Sequence, residues 1–404
     1  MLKKARRKIT VGGLSVGPLA KRLINNTLNK NRLTYGDLTI RFEKEFAKVH
    51  GARFALFTVS GTSALQVALH TLKSIHGWQD GDEVIVPAVT FVATANVVIQ
   101  NNLKPVFIDV DSRTFNIDTS KIESAITPKT RCIMPVHLLG LPANMTKIMT
   151  IAKKHRLKTL VDSCETMFVT ANGKPLGAAG DIVCFSTYSS HLLTTGVGGF
   201  MVTQNPVYAT KMRSLMNHGR DSVYYNIDQD DNISGNQKLF SMIDRRFSFV
   251  DIGYSYRLTE LEAAIGIEDL KNLPKSIATR KKVAQYLIEN LTSISQDLQF
   301  PNIEWVGKSA CMMLPIVIRK TSKLKRHDII LYLEKNGIET RYLMPLLNQP
   351  AYVKMFGNIE NNYSVAHWVN NQGFYIGCHQ YLNKEDLKYI IQVFKDFFIE
   401  LNSA

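Results

Sequence analysis

Three short stretches carry side chains able to do chemistry together. Ser60-Gly61-Thr62-Ser63 closes one apolar run and opens a helical pattern, so Gly61, Thr62 and Ser63 stand at a helix start. Unpaired backbone N–H groups and two hydroxyls at such a start can cradle an anion. The same residues also read as a plain N-cap, and alone the two readings balance. Asp162 ends the apolar run 158–161, the place where open α/β sheets present ligand-contacting groups. Phe185-Ser186-Thr187-Tyr188-Ser189-Ser190-His191 leads from another apolar run into Gly196-Val197-Gly198-Gly199, so hydroxyls and a histidine collect at the same edge. A phosphate cradle, a carboxylate and a histidine converging on one crevice have the make-up of a cofactor site. Other motifs fall away. Gly13-Leu14-Ser15-Val16-Gly17 fits G-x-S-x-G, but no buried strand precedes it; there is no Walker A loop, no G-x-G-x-x-G after a strand and no H-E-x-x-H.

Positioning these groups falls to an α/β fold. Short β-branched apolar runs at 54–60, 83–89, 105–110, 132–137, 159–162, 182–187 and 200–203 predict seven strands. Between them, stretches such as 63–75, 144–155 and 206–216 have apolar residues at helical spacing, the signature of βαβ units and a mainly parallel sheet. The polar stretch 225–237 predicts a long loop, and 258–272 and 278–291 predict two helices. A strand at 313–318 and helices at 326–336 and 384–402 predict a smaller C-terminal α+β domain. The expected division is a basic N-terminal arm at 1–36, a large α/β domain at 37–272 and a small domain at 273–404.

Composition narrows the partners. With 404 residues, 45% hydrophobic and 21% charged, the chain can bury a sizeable core. Lys and Arg number 49 against 34 Asp and Glu, a net charge of +15, which suggests an anionic partner. Nine basic residues precede the first acid, Asp37, so much of that charge sits in an arm expected to be solvated or to contact a subunit. The basic residues lack the aromatic interleaving or fold motif of a nucleic-acid binder. No apolar run reaches the roughly 18 residues that would span a bilayer. The five cysteines, Cys132, Cys164, Cys184, Cys311 and Cys378, are scattered without a CxxC, the pattern of a reduced, cytoplasmic protein.

From about Lys8 to the C-terminus the sequence resembles the DegT/StrS group of fold-type-I, pyridoxal-phosphate-dependent sugar aminotransferases. The marks are Leu33-Thr34-Tyr35-Gly36, Phe42-Glu43, Ser60-Gly61-Thr62-Ser63-Ala64-Leu65, Gly81-Asp82-Glu83-Val84-Ile85-Val86-Pro87, Thr90-Phe91-Val92-Ala93-Thr94, Asp162-Ser163-Cys164-Glu165, Asn217-His218-Gly219-Arg220 and Tyr256-Arg257-Leu258-Thr259-Glu260. The resemblance implies that Gly61, Thr62, Ser63 and Ser186 hold the cofactor phosphate and that Phe91 stacks on its ring. It implies that Asp162 pairs with the ring nitrogen, making the ring an electron sink. Glu165 falls where the group commonly has Gln or His beside the ring's 3′-oxygen. Ser255 and Arg257 lie in the segment that reaches the neighbouring subunit's phosphate, so a homodimer is implied. Tyr188, His218, Arg220 and the loop after Tyr225 are candidate substrate contacts, and for His218, Arg220 and that loop a plain surface loop is an equal reading.

One position departs from the aminotransferases. Where they carry the lysine that anchors the cofactor covalently, five residues after the phosphate-binding Ser186, this chain has His191, and no lysine occurs between Lys174 and Lys211. An imidazole moves protons near neutral pH but forms no stable covalent anchor. The same exchange marks the sugar 3-dehydratases, which use pyridoxamine phosphate to remove the C3 hydroxyl from a nucleotide-linked 4-keto-6-deoxysugar in deoxysugar and lipopolysaccharide biosynthesis. The dispersed cysteines argue against the branch that holds an iron–sulfur cluster, and no metal is expected. The resemblance is to the colitose-pathway branch, with His191 as catalytic base and L-glutamate as amino donor. Val197, where an acid is usual, and Leu192, where a second His is usual, keep a keto-sugar aminotransferase or a non-catalytic cofactor-binding protein open as alternatives.

Overall fold

A computed structural model describes residues 8–171, 173–221 and 235–403. The strands run β1 Phe54–Thr58, β2 Glu83–Pro87, β3 Lys104–Ile108, β4 Thr130–Ile133, β5 Lys158–Asp162, a small hairpin of β6 Thr170–Ala171 and β7 Lys174–Pro175, then β8 Ile182–Ser186 and β9 Gly199–Thr203. Seven form one sheet in the order β1-β9-β8-β5-β4-β2-β3. β3, β2, β4, β5 and β8 are parallel neighbours, while β9 runs antiparallel between β8 and β1. Every residue of β2, β8 and β9 is buried, as expected for strands covered on both faces. The seven expected strands are all present. The fourth stops at Ile133 because Pro135 has no N–H for the ladder, although Val136 still bridges to Asp162.

The sheet's directions explain why the candidate residues meet. Since β9 is antiparallel to both neighbours, β1 points the same way as β8, and the ends of β1, β2, β5 and β8 reach one edge. Helices α1 Pro18–Asn29, α2 Asp37–Val49, α3 Gly61–His76, α4 Val92–Gln100, α5 Met145–Lys154 and α6 Pro206–Leu215 surround it. α3 follows β1, packs on β8 and β9, and buries Ala64, Leu65, Val67, Ala68, Leu69 and Leu72 in the core.

Two expectations are modified, and a third lies mostly outside the described residues. Residues 225–234 of the expected loop lie outside the described residues, and α7 Asn236–Arg246 already occupies its end. The two helices at 258–272 and 278–291 are one, α8 Glu260–Leu291, with Pro274 inside it. Buried Ile267, Leu270, Leu273, Ile277 and Arg280 continue one face through the proline, so packing outweighs the missing hydrogen bond. Residues 8–36 are not detached from the body: Ile9 and Val11 are buried, Ile9 bridges to Ile338 and α1 packs on α8, while Lys8, Lys21, Arg22, Lys30 and Arg32 stay exposed as expected.

α8 also caps its neighbours. Glu268 accepts the N–H groups of Leu19 (3.3 Å) and Ala20 (2.9 Å) at the start of α1, and Glu260 accepts those of Gly36 (2.9 Å), Leu38 (2.8 Å) and Thr39 (3.0 Å) at the start of α2. The local N-cap residues are Gly17 and Gly36, which have no side chain to offer, so remote carboxylates satisfy the orphan donors. A Cβ on Gly17 would stand within 2.6 Å of the Glu268 carboxylate.

The C-terminal region forms a second sheet, β10 Leu298–Gln299, β11 Met313–Ile318, β12 Thr340–Tyr342 and β13 Gly373–Gly377, in the order β10-β11-β13-β12. Helices Arg326–Lys335 and Lys384–Ser403 cover it with a second apolar core that includes Leu314, Ile316, Phe374 and Phe394. Among the described residues no helix is long and apolar enough to cross a membrane.

Candidate active site

Asp162 ends β5 and is buried. Its Oδ2 accepts the Thr94 hydroxyl at 2.7 Å and its Oδ1 the Cys164 N–H at 3.1 Å; Thr94 in turn is 2.7 Å from the Thr90 hydroxyl. Burial pushes this carboxyl above the usual range, while the two donors pull it back. Among the described residues no basic side chain pairs with it. A buried anion without a cation is costly, so a positively charged group entering from outside the chain would be stabilised beside it. Glu165, three residues on, is also buried and accepts the Leu139 N–H at 2.8 Å. Burial pushes its pKa up to about 7, helped by neighbouring Asp162 and opposed by that hydrogen bond.

His191 sits in the loop 187–198 that leaves β8 and returns into β9. Its N–H donates to the Tyr188 carbonyl (2.9 Å), and Tyr188 stacks edge-on against its ring. Ring Nδ1 lies 2.6 Å from the Cys164 carbonyl, an oxygen that only accepts, so Nδ1 carries the proton and Nε2 the lone pair. Burial lowers the imidazole's pKa to about 4; the Cys164 carbonyl raises it and the Arg280 charge lowers it. The ring is therefore neutral at pH 7.

The helix start of α3 lies against this group. Ser60 caps it, its Oγ accepting the Ser63 N–H at 3.0 Å and lying 2.9 Å from Ser63 Oγ. One N–H of the expected anion cradle is thus already satisfied, and Gly61 and Thr62 at the first two helical positions supply the remaining donors. Gly61 packs so closely that an added Cβ would stand 2.7 Å from Cys164 Sγ and 2.8 Å from Ser186 Cβ. Ser186, Gly61, Cys164 and Asp162 therefore form one cluster. Phe91, the residue before α4, is 58% exposed and Tyr188 is 53% exposed, so two aromatic rings face open space at the same edge.

Ser255, Arg257, His218 and Arg220 form a separate cluster. Arg257 Nη2 donates to Ser255 Oγ (3.1 Å) and to His218 Nε2 (3.2 Å), the His218 N–H donates to the Tyr254 carbonyl (2.7 Å), and the Arg220 guanidinium lies 5.2 Å over the Phe249 ring. Burial and the two arginines depress His218 below its ordinary pKa. No hydrogen bond or ion pair among the described residues joins this cluster to Asp162 or His191. Sequence reasoning missed Thr94, and on α8 Asp269 and Arg280, which reach the His191 loop at the Thr194 N–H and the His191 carbonyl. The first was visible as a hydroxyl one turn from Thr90; the other two look like ordinary charged positions on a helix.

The model of the DegT/DnrJ/EryC1/StrS aminotransferase family matches residues 17–395. The chain belongs to this family. Among curated relatives, GDP-perosamine synthase of Caulobacter vibrioides is 31% identical over 357 residues, covering 88% of this chain and 89% of its own. GDP-4-keto-6-deoxy-D-mannose 3-dehydratase of Yersinia pseudotuberculosis is 31% identical over 378 residues, covering 92% and 94%. A crystal structure of GDP-4-keto-6-deoxymannose-3-dehydratase with a trapped PLP–glutamate geminal diamine superposes with a TM-score of 0.85 at 28% identity, over 96% of this chain and 100% of that one. Like its DegT relatives, this chain is a pyridoxal-phosphate-dependent, sugar-modifying enzyme by family and has the expected α/β fold. Its residues fit the cofactor: a buried carboxylate with no internal cation for the ring nitrogen, and a helix start beside Ser186 for the phosphate. Among the described residues no group of three or more His, Cys, Asp or Glu could hold a metal ion, and all five cysteines are free thiols.

Proposed function

We propose that the protein is a 3-dehydratase that removes the C3 hydroxyl of a nucleotide-linked 4-keto-6-deoxysugar, using pyridoxamine phosphate regenerated with L-glutamate. The observation that carries this reading is His191: a neutral imidazole fixed by the Cys164 carbonyl, with Nε2 free, at the position where aminotransferases keep their anchoring lysine. When bound, the cofactor would supply an electron sink for elimination of the sugar's C3 hydroxyl. His191 Nε2 takes up the proton whose removal starts elimination. Asp162 holds the positive charge on the ring nitrogen, and Thr94 and the Cys164 N–H hold Asp162. Glu165, with a pKa of about 7, would be able to share a proton with the ring oxygen of the bound cofactor. Gly61, Thr62, Ser63 and Ser186 receive the phosphate, and Phe91 covers the ring. Overall the sugar exchanges C–OH for C–H, while glutamate leaves as 2-oxoglutarate and ammonia.

The protein acts as a homodimer in this reading. Ser255 and Arg257, apart from Asp162 within one chain, serve the site of a second copy, with His218, Arg220 and Tyr188 toward the nucleotide sugar. Phe247, Phe249, Val250 and Ile252 beside them are 48–88% exposed, an apolar patch suited to a second subunit. An aminotransferase with the same substrate class is the competing reading, favoured by the perosamine synthase relative at equal identity.

The test is incubation with pyridoxal phosphate, glutamate and nucleotide-linked 4-keto-6-deoxysugars, followed by mass spectrometry. Loss of one oxygen atom from the sugar is expected; a product that gains an amine would overturn the assignment. Borohydride treatment of the holoenzyme should leave no cofactor covalently attached to the chain.

A further inference from the structure

The loop carrying His191 is held from one side by α8. Asp269 and Arg280 lie about three helical turns apart and so share a face. Asp269 Oδ2 accepts the Thr194 N–H at 2.7 Å and the Thr194 hydroxyl at 3.2 Å. Arg280 is fully buried; it gives Nη1 to the Met312 carbonyl at 3.0 Å and Nη2 to the His191 carbonyl at 3.4 Å, and its Nε has no partner. Asp269 is the carboxylate that acts on it, from beyond ion-pair distance. A guanidinium buried this way is costly, and packing alone would be served better by an apolar side chain of similar volume. What Arg280 adds is a fork that ties the His191 loop to Met312, just before β11 of the second sheet.

We infer that Arg280, supported by Asp269, is the positioning residue of His191: it fixes the loop carbonyl so that Nδ1 stays on Cys164 and Nε2 stays free. This rests on the reading of His191 as the base. Among the described residues, the polar and titratable groups around His191, Arg280 and Asp269 are Tyr188 and Thr194 on the loop, Cys164 after β5, Glu268 on α8, Cys311 before β11, and Cys378 and Tyr381 after β13. Arg280 is the permanent cation among them, and it opposes a second proton on the imidazole.

The experiment compares Arg280→Met and Arg280→Lys with the native holoenzyme, assayed with glutamate and nucleotide sugar, and titrates the histidine rings by NMR, His191→Asn assigning the signal. In Arg280→Met the His191 midpoint is expected to rise by about half a pH unit or more, because a nearby positive charge is gone. Its kcat is expected to fall about tenfold or more with KM for the sugar within about twofold, the acid limb of kcat moving with the NMR midpoint. Arg280→Lys keeps the charge but not the fork, so kcat falls at least about threefold while the midpoint stays. An unmoved midpoint in folded Arg280→Met, or native kcat in Arg280→Lys, overturns the inference. If Arg280→Met does not fold, the Arg280→Lys result decides alone. Failure of the underlying reading looks different: His191→Asn would keep its activity while the His191 midpoint still responded to Arg280.

Discussion

At Gly61 a single methyl group tests whether the junction of α3 and β8 holds the cofactor phosphate. In Gly61→Ala the new Cβ would stand 2.7 Å from Cys164 Sγ and 2.8 Å from Ser186 Cβ, whereas carbon atoms pack at about 3.5 Å or more. The start of α3 must therefore retreat from Ser186 by roughly 0.7 Å, more than the about 0.5 Å a preorganised site tolerates. Overpacking of this kind costs about 1–3 kcal/mol, which a thermal melt of the cofactor-free protein will report. In the proposed site pyridoxal phosphate would bridge the two parts being separated, so it should lose about one charge-assisted hydrogen bond, roughly 1.5–3 kcal/mol, or ten- to hundredfold in Kd. An absorbance titration measures this. Gly307→Ala is the control, since nothing lies within 4 Å of its added Cβ. Cys164→Ala in the Gly61→Ala background should recover part of the affinity by removing the nearer clash. If Gly61→Ala melts lower yet binds pyridoxal phosphate like the native protein, the phosphate lies elsewhere and the cradle is wrong.

Three further outcomes are expected. His191→Asn should retain pyridoxal phosphate but lose elimination, and His191→Lys should shift the product toward the amino sugar; both are read by mass spectrometry, and full activity in His191→Asn would remove the residue from the mechanism. Glu165 has its folded pKa raised from 4.5 to about 7, so its contribution to stability is complete below about 4.5 and is lost as pH rises through 7. Urea denaturation of the cofactor-free protein against Glu165→Gln should show the native chain losing on the order of 3 kcal/mol relative to the variant between pH 4.5 and 8; parallel pH profiles would refute the shift. A mixture of inactive His191→Asn and inactive Arg257→Ala should regain about a quarter of native activity, because half of the dimers are mixed and each then has one site with both residues intact. No recovery after subunit exchange would place Arg257 outside its neighbour's site.

The parts of the fold that could be read from the sequence are those where one segment decides its own structure. β2, β8 and β9 are buried on both faces and are written as unbroken apolar runs. Asp162 and Ser186 end strands and His191 lies in the loop that follows β8, so their types and places pointed to one edge. What escaped depends on distant partners. Glu260 and Glu268 cap helices more than 220 residues away in the chain, so the glycines at 17 and 36 gave no helix-start signal. Pro274 looked like a helix end because its missing hydrogen bond is local and the apolar face that overrides it is not. Arg280 opens the run Arg280-Lys281-Lys282, which reads as a solvated helix face; only the packed structure shows the first of the three buried.

That last case bears on why histidine needs more support than lysine at position 191. A lysine that anchors a cofactor is held at both ends, by its backbone and by the covalent bond it makes, so its nitrogen is placed by the chemistry itself. An imidazole has no such second attachment, and its useful atom, Nε2, lies across the ring from the one that hydrogen-bonds. Placing Nε2 within the about 0.5 Å that proton transfer requires means fixing both Nδ1 and the peptide behind it. The Cys164 carbonyl does the first at 2.6 Å, and Arg280 holds the His191 carbonyl for the second. If His191 is the base as proposed, exchanging the lysine for histidine changes more than one side chain's chemistry: orientation passes from the cofactor to the turn after β5, through Cys164, and to α8, through Arg280.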